Sequence, residues 1–215
     1  MPSLPSLTDR PAVYAGCCLA LSTPLVAHLH SLLPKAPALT LSIGSGFGLL
    51  EALLLAGPAQ ACRDRDRDWD GGQEEGREER QEEEGQDDEG QDDEGQEGKS
   101  ATTVVVVGVE VAPSSNTYLP ATHHRTVHGS RFLDPLAAKA DALLFVYPRR
   151  VALVSEYMAA PGCANLHTII WAGPRADWDD YKSCFAAGWE VRTQSAQEVG
   201  GKAWDLLAVA RRLPV

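Results

Sequence analysis

The sequence contains no C-x-x-C pair, no apolar run long enough to cross a bilayer and, outside one tract, almost no net charge. Each absence removes a class of protein. The five cysteines, Cys17, Cys18, Cys62, Cys163 and Cys184, are odd in number and irregularly spaced. That speaks against a disulfide framework or a zinc site, and for reduced thiols in a cytoplasmic protein. Residues 1–8 lack the basic opening of a signal peptide. The apolar stretch 12–27 is broken by Ser22, Thr23 and Pro24 and is too short to span a membrane.

The formal charge of −11 is concentrated in one place. Between Arg63 and Gly98 stand 18 Asp and Glu against 5 Arg, a balance of −13, which leaves about +2 for the rest of the 215 residues. The remainder therefore offers neither a basic footprint for nucleic acid nor a polybasic membrane patch. The segment 63–100 has almost no apolar residues and repeats Gly-Gln-Asp-Asp-Glu at 85–89 and 90–94. Burial cannot offset its ordering entropy, so it reads as a disordered acidic insert within a single domain spanning 1–215.

With that tract set aside, a pattern of elements emerges. Thr8-Asp9 and Ser22-Thr23 are N-cap candidates, the second followed by Pro24 at the first helical position, and they open helices over 10–21 and 24–33. Residues 38–43 read as a buried strand feeding a glycine-rich turn, and 47–55 as an apolar helix. Four consecutive valines mark 103–109 as a strand covered on both faces. A weak strand at 126–128, a strand at 142–147, a helix over 151–159, a strand at 166–172 and a helix opened by Asp177 follow. Residues 189–193 and 204–211 close the chain as two strands with no helix between them. Alternation of this kind predicts a doubly wound α/β sheet, mostly parallel, with an antiparallel hairpin at one edge.

A strand, a glycine turn and a helix in succession let the backbone approach a ligand closely. The spacing here is G-x-G-x-G at Gly44, Gly46 and Gly48, and Leu49 stands where a dinucleotide fingerprint requires glycine. Val109-Glu110 places a carboxylate at the end of the second strand, where it can accept hydrogen bonds from ribose hydroxyls. Glu110 lies 62 residues beyond Gly48, and removing the 38 residues 63–100 reduces this to 24. The acidic tract is thus an insertion in the crossover between two strands.

These residues, Leu41-Ser42-Ile43-Gly44-Ser45-Gly46-Phe47-Gly48 and Val109-Glu110, together with Ala142-Leu143-Leu144-Phe145-Val146-Tyr147-Pro148, resemble the class I S-adenosylmethionine-dependent methyltransferases. The resemblance covers about 10–60 and 101–215, with a looser likeness to small methyltransferase-like proteins of fungi. It implies a Rossmann-like, seven-stranded sheet and S-adenosyl-L-methionine as cofactor. It further implies that Gly44, Ser45, Gly46 and Gly48 support the cofactor's amino-acid end and that Glu110 holds its ribose. Tyr147 and Pro148 would face the methyl group as the catalytic positions. Ser42 stands where members often carry an acidic residue two before the first glycine. Ser130 stands near where an acidic residue often approaches the adenine. Both serines retain hydrogen-bonding capacity and count as cofactor-binding.

Other features have simpler readings. His123, His124 and His128 lie on strand rather than helix and would not share a face, so no metal is expected, although His124 or His128 is a candidate general base. Glu51, in the first turn of the helix after the loop, is accounted for by the helix dipole. Trp171, Trp178, Trp189 and Trp204 read as core and sheet-edge packing, and Cys17-Cys18 as small buried residues on a helix. Methyl transfer to a small-molecule acceptor is the function expected, with no nucleic-acid or membrane partner. The alternatives are a non-catalytic cofactor-binding or scaffold protein, or a nicotinamide-dependent oxidoreductase. Leu49 and the lack of any Tyr-x-x-x-Lys pair oppose the last. Deleting residues 63–98 should leave the melting temperature and cofactor affinity nearly unchanged. A loss of several degrees in a thermal melt would show that the tract packs on the body.

Overall fold

The runs of valine, leucine and isoleucine form the middle of one sheet. In a computed structural model, which describes residues 1–57, 103–160, 165–185 and 188–214, the strands are β3 (Leu39–Ile43), β4 (Val105–Val111), β5 (His124–Val127), β6 (Ala142–Val146), β7 (Thr168–Pro174), β8 (Trp189–Ser195) and β9 (Asp205–Arg212). The insert expected at 63–100 lies outside the described residues, as do Cys62 and Cys163. The spatial order is β5-β4-β3-β6-β7-β9-β8. The first five are parallel, while β9 runs antiparallel to both β7 and β8. This is the doubly wound, Rossmann-like sheet with an antiparallel C-terminal pair. The final strand slots between β7 and β8, which leaves β8 as the edge.

Period-two alternation sends successive side chains to opposite faces. Leu41, Ile43, Val107, Val109, Leu143, Phe145, Ile169 and Trp171 pack on one face, under α3 (Val151–Met158) and the short α4 (Trp178–Tyr181). Val106, Leu144, Ile170, Ala172 and Leu207 pack on the other, under α1 (Thr23–Leu32) and α2 (Leu49–Ala56). Helix α2 is covered almost all round: Leu49, Leu50, Glu51, Ala52, Leu53 and Leu54 are all buried. Its nearly unbroken apolar sequence has that cause.

Helix α1 begins as the sequence indicates. Ser22 Oγ accepts from Leu25 N at 3.2 Å, Pro24 occupies the first turn, and the same hydroxyl donates to Gly200 O at 2.7 Å. The helix expected over 10–21 is instead a β-hairpin, β1 (Ala12–Tyr14) with β2 (Cys17–Leu21). Gly16 is the reason. It turns the chain at φ +77°, and a Cβ there would lie 2.1 Å from the Phe47 ring, so only glycine lets the hairpin lie on the loop after β3. Cys17 and Cys18 are consequently strand residues, Cys18 exposed rather than buried. Asp177 makes no side-chain cap at α4, because its own backbone is already helical. Trp204 is exposed at 61%, with the Lys202 ammonium over its ring, so it is not core. Trp171 is buried against Trp178 and Tyr181. Among the described residues no helix is long and apolar enough to cross a membrane.

Gly108 interrupts the valines of β4 for a packing reason. A Cβ there would meet Ser45 Oγ and Leu119 Cδ1, both at 2.7 Å. The glycine-rich loop thus rests directly on the β4 backbone. Gly108→Ala should destabilise by about 1–3 kcal/mol, the usual cost of overpacking, read as a drop of several degrees in a thermal melt. An unchanged melt would mean that the loop lifts off without cost.

Candidate functional site

The sheet changes winding direction at β3, whose neighbours β4 and β6 lead to opposite edges. Open α/β sheets bind ligands in the crevice beyond the strand ends at such a point. A cleft of about 680 Å³ lies there. Gly44, Ser45, Gly46, Glu110, Ser130, Tyr147 and Pro148 all line it, so most of the sequence-predicted site residues come together. Ser42 and Gly48 do not reach its wall. Ser42 is buried beneath the loop and acts on Glu51. Gly48, in the left-handed region at φ +77°, caps α2, and its backbone faces Asn116 and Leu119.

The loop is held from below. Gly44 N and Ser45 N donate to Val109 O at 2.8 and 3.2 Å, and Gly48 N donates to Ser45 O at 2.9 Å. Gly46 N donates to Glu110 Oε2 at 2.8 Å, while Glu110 Oε1 accepts from Val111 N at 2.8 Å. Four loop N–H groups that a phosphate would otherwise recruit are therefore already bonded within the protein. The hairpin lies against the loop, with Gly16 packed on Gly46 and Phe47, and Gly16, Cys17 and Cys18 line the cleft there.

Sequence reasoning missed the most unusual group. Glu51, 2% exposed, lines the cleft from the first turn of α2. Its Oε1 accepts from Ser42 Oγ at 2.6 Å, and its Oε2 has no partner among the described residues. Burial pushes its carboxyl up to about 7. The Ser42 hydroxyl and Glu51's own backbone N–H pull the other way, and the Glu110 charge adds to the rise. A helix dipole does not account for a carboxyl so desolvated. The available signal was its position as the only charged residue in an otherwise apolar helix. Burial pushes the Cys17 thiol up to about 12, with the Glu51 charge contributing, which disfavours its thiolate form.

The opposite wall comes from the end of β6. Tyr147 is the one non-glycine residue among those described with positive φ, at +50°. Its hydroxyl donates to Asp205 Oδ1 at 2.5 Å, and Asp205, wholly buried at the start of β9, has no partner for Oδ2 among the described residues. Burial raises the Tyr147 hydroxyl first, and the Asp205 hydrogen bond and charge raise it further. Pro148 O accepts from Tyr181 Oη. Arg149 is exposed at the rim, whereas Arg150 is anchored to Glu156 at 2.8 Å and to Ser130 O at 2.5 Å.

His123 Nδ1 lies 2.8 Å from Val106 O and His124 Nε2 lies 2.9 Å from Ser114 Oγ. None of His123, His124 or His128 lines the cleft, which leaves the two base candidates away from it. Among the described residues no three His, Cys, Asp or Glu side chains gather as metal ligands.

No protein-family model matches the sequence, and no curated protein matches it. Several solved structures share the fold. Precorrin-6y C5,15-methyltransferase from Geobacter metallireducens aligns with a TM-score of 0.54 at 10% identity, over 98% of this chain and all of that one. A protein of Thermoplasma acidophilum gives 0.51 at 11% identity, over 99% and 94%. A tRNA methyltransferase from Aquifex aeolicus gives 0.51 at 7% identity, over 94% and 73%. At such identities the likeness is one of fold: a Rossmann-like sheet of the kind that methyltransferases use.

Glu51 has a consequence for stability. A carboxyl with a higher pKa in the folded than in the unfolded chain binds protons more readily when folded. Its contribution is complete below the unfolded value of about 4.5 and is lost as pH rises through about 7. Glu51→Gln has no charge to bury. It should melt like the wild type near pH 5 and several degrees higher at pH 8, a difference of roughly 3 kcal/mol. Equal melting at both pH values would mean that Glu51 is not desolvated.

Proposed function

We propose that the chain transfers a methyl group from S-adenosylmethionine to a small-molecule acceptor bound in the cleft beyond β3 and β6. One observation carries this reading. The cleft at the switch point is lined by the carboxyl groups of Glu51 and Glu110, while four N–H groups of the loop are spent internally. A site so built favours a cation and hydroxyl donors over a pyrophosphate. S-adenosylmethionine carries two cationic centres and two ribose hydroxyls, whereas a dinucleotide needs the N–H donors this loop has committed. Both carboxylates therefore fit the cofactor, and the orphaned Glu51 Oε2 is the clearest mark of that fit.

The residues divide the work. Glu110 accepts from Gly46 N and Val111 N and keeps lone pairs for ribose hydroxyls, so one side chain both shapes the loop and reads the sugar. Ser130, also on the cleft wall, is the residue that would approach the adenine. When bound, the cofactor supplies an activated methyl group on a sulfonium with an excellent leaving group. The protein's task is then proximity and in-line orientation rather than proton transfer. Tyr147 and Pro148 wall the acceptor side, with the Tyr147 ring fixed by Asp205 at one end and by its left-handed backbone at the other. The volume suits a cofactor plus a small acceptor. The nearly neutral body favours such an acceptor over nucleic acid. The resemblance read from the sequence and the shared fold support the same assignment.

Calorimetry of the full chain with S-adenosylmethionine, S-adenosylhomocysteine and NADH tests it. Binding of the first two and not the third is expected; tight NADH binding with no response to S-adenosylmethionine would overturn the reading. Glu110→Ala should weaken S-adenosylhomocysteine by roughly 1.5–3 kcal/mol, the range for hydrogen bonds to a charged group. It should also lower the melting temperature without ligand, since Gly46 N loses its acceptor. Wild-type affinity in Glu110→Ala would remove Glu110 from the site.

A further inference from the structure

The unexplained group in this cleft is Glu51, and its surroundings narrow what it is for. The carboxylate is buried on the first turn of α2, directly under the loop and facing the cleft. Ser42 fixes Oε1 and thereby the orientation of the group. Oε2 has no donor among the described residues. An unsatisfied buried acceptor costs about 1–3 kcal/mol, more when charged. None of the ion pairs among the described residues involves Glu51. Its ionisable neighbours are Glu110, which repels it, and the Cys17 thiol, which stays neutral and brings no positive charge. Among the described residues no cation faces Glu51, which leaves that role open to a ligand.

We propose that Glu51 Oε2 binds the cationic amino group at the amino-acid end of the cofactor, with Ser42 as the residue that positions it. The inference rests on the methyltransferase reading and deepens it by assigning that ammonium to α2 rather than to the strand before the loop. The sequence around Ser42 fits. Ser42 stands where the methyltransferases that the sequence resembles often carry an acidic side chain, and the carboxyl nine residues on takes a hydrogen bond from its hydroxyl. Both ends of the cofactor would then be read by carboxylates, the ribose by Glu110 and the ammonium by Glu51, with the loop between them. The raised proton affinity of Glu51 agrees with this, since a cation against Oε2 offsets the burial that raises it, favours the carboxylate and releases a proton on binding near neutral pH.

Three purified full-length proteins test the proposal: the wild type, Glu51→Gln and Ser42→Ala. Each is titrated calorimetrically at pH 7.5 with S-adenosylhomocysteine and with 5′-methylthioadenosine, which keeps the nucleoside but lacks the amino-acid end. Glu51→Gln should bind S-adenosylhomocysteine roughly 10- to 100-fold more weakly, the loss expected of one charge-assisted hydrogen bond, and 5′-methylthioadenosine like the wild type. Ser42→Ala should show a smaller loss of the same selectivity. A melting curve without ligand establishes that each variant is folded. Unchanged S-adenosylhomocysteine affinity overturns the proposal, and so does a tighter complex, which would place the ligand's carboxylate rather than its ammonium against Glu51. Equal losses for both ligands overturn it too, because Glu51 would then shape the loop instead of reading the ammonium. If the wild type binds neither ligand, the methyltransferase reading itself falls.

Discussion

The Glu110 carboxylate receives the Gly46 N–H across 64 residues of chain, and the geometry of the cleft follows from that bond and the close approach that permits it. Gly108 has no side chain, so Ser45 rests on the β4 backbone. That contact brings the loop low enough for Gly44 and Ser45 to bond Val109 O and for Gly46 to reach Glu110. With the loop fixed, the direction of α2 is fixed, and with it the place where Glu51 emerges. A glycine in one strand and a carboxylate two residues later thus set the shape of a site built mainly from another segment.

The electrostatic character of the cleft comes from the same arrangement. Four loop N–H groups are committed internally, which weakens the loop as an anion site, and the carboxyl groups of Glu51 and Glu110 line the cleft beside it, with Arg149 and Arg150 also on its wall. The desolvation of Glu51 opposes folding above neutral pH, where an amide would not. A group that costs stability yet lines a cleft is the usual signature of a binding residue. The hairpin β1–β2 supplies part of the desolvation by lying over the loop, with Gly16 O 3.0 Å from where a Cβ on Gly46 would stand.

The wall beyond β6 is governed by a different long-range contact. Tyr147 ends β6 in a left-handed conformation that a bulky side chain seldom adopts. Its hydroxyl is tied to Asp205, at the start of the last strand. Because β9 inserts between β7 and β8, the start of the final strand comes within reach of the end of β6. The closing strands are therefore part of the site's architecture as well as the sheet's edge.

Much of this was legible in the sequence, because buried strands must be apolar on both faces. The valine run at β4, Leu143-Leu144-Phe145 and the glycine triplet each declare a local environment. Ser22 with Pro24 declares a helix start in the same way. Where local and global preferences agree, composition and spacing suffice: the alternation of elements, the G-x-G-x-G turn after β3 and the carboxylate ending β4 all fall into that group. What failed did so for tertiary reasons. Residues 10–21 are apolar enough for a helix, and only the contact of Gly16 with Phe47 makes them a hairpin. Glu51 looks like an ordinary first-turn acid until the hairpin and loop exclude water from it. The pairing of Tyr147 with Asp205 depends on strand order, which no local pattern encodes. The sequence by itself determined the periodicities and the spacing of the loop. Only the tertiary structure decided which polar atoms lost their water, because desolvation depends on segments far apart in the chain.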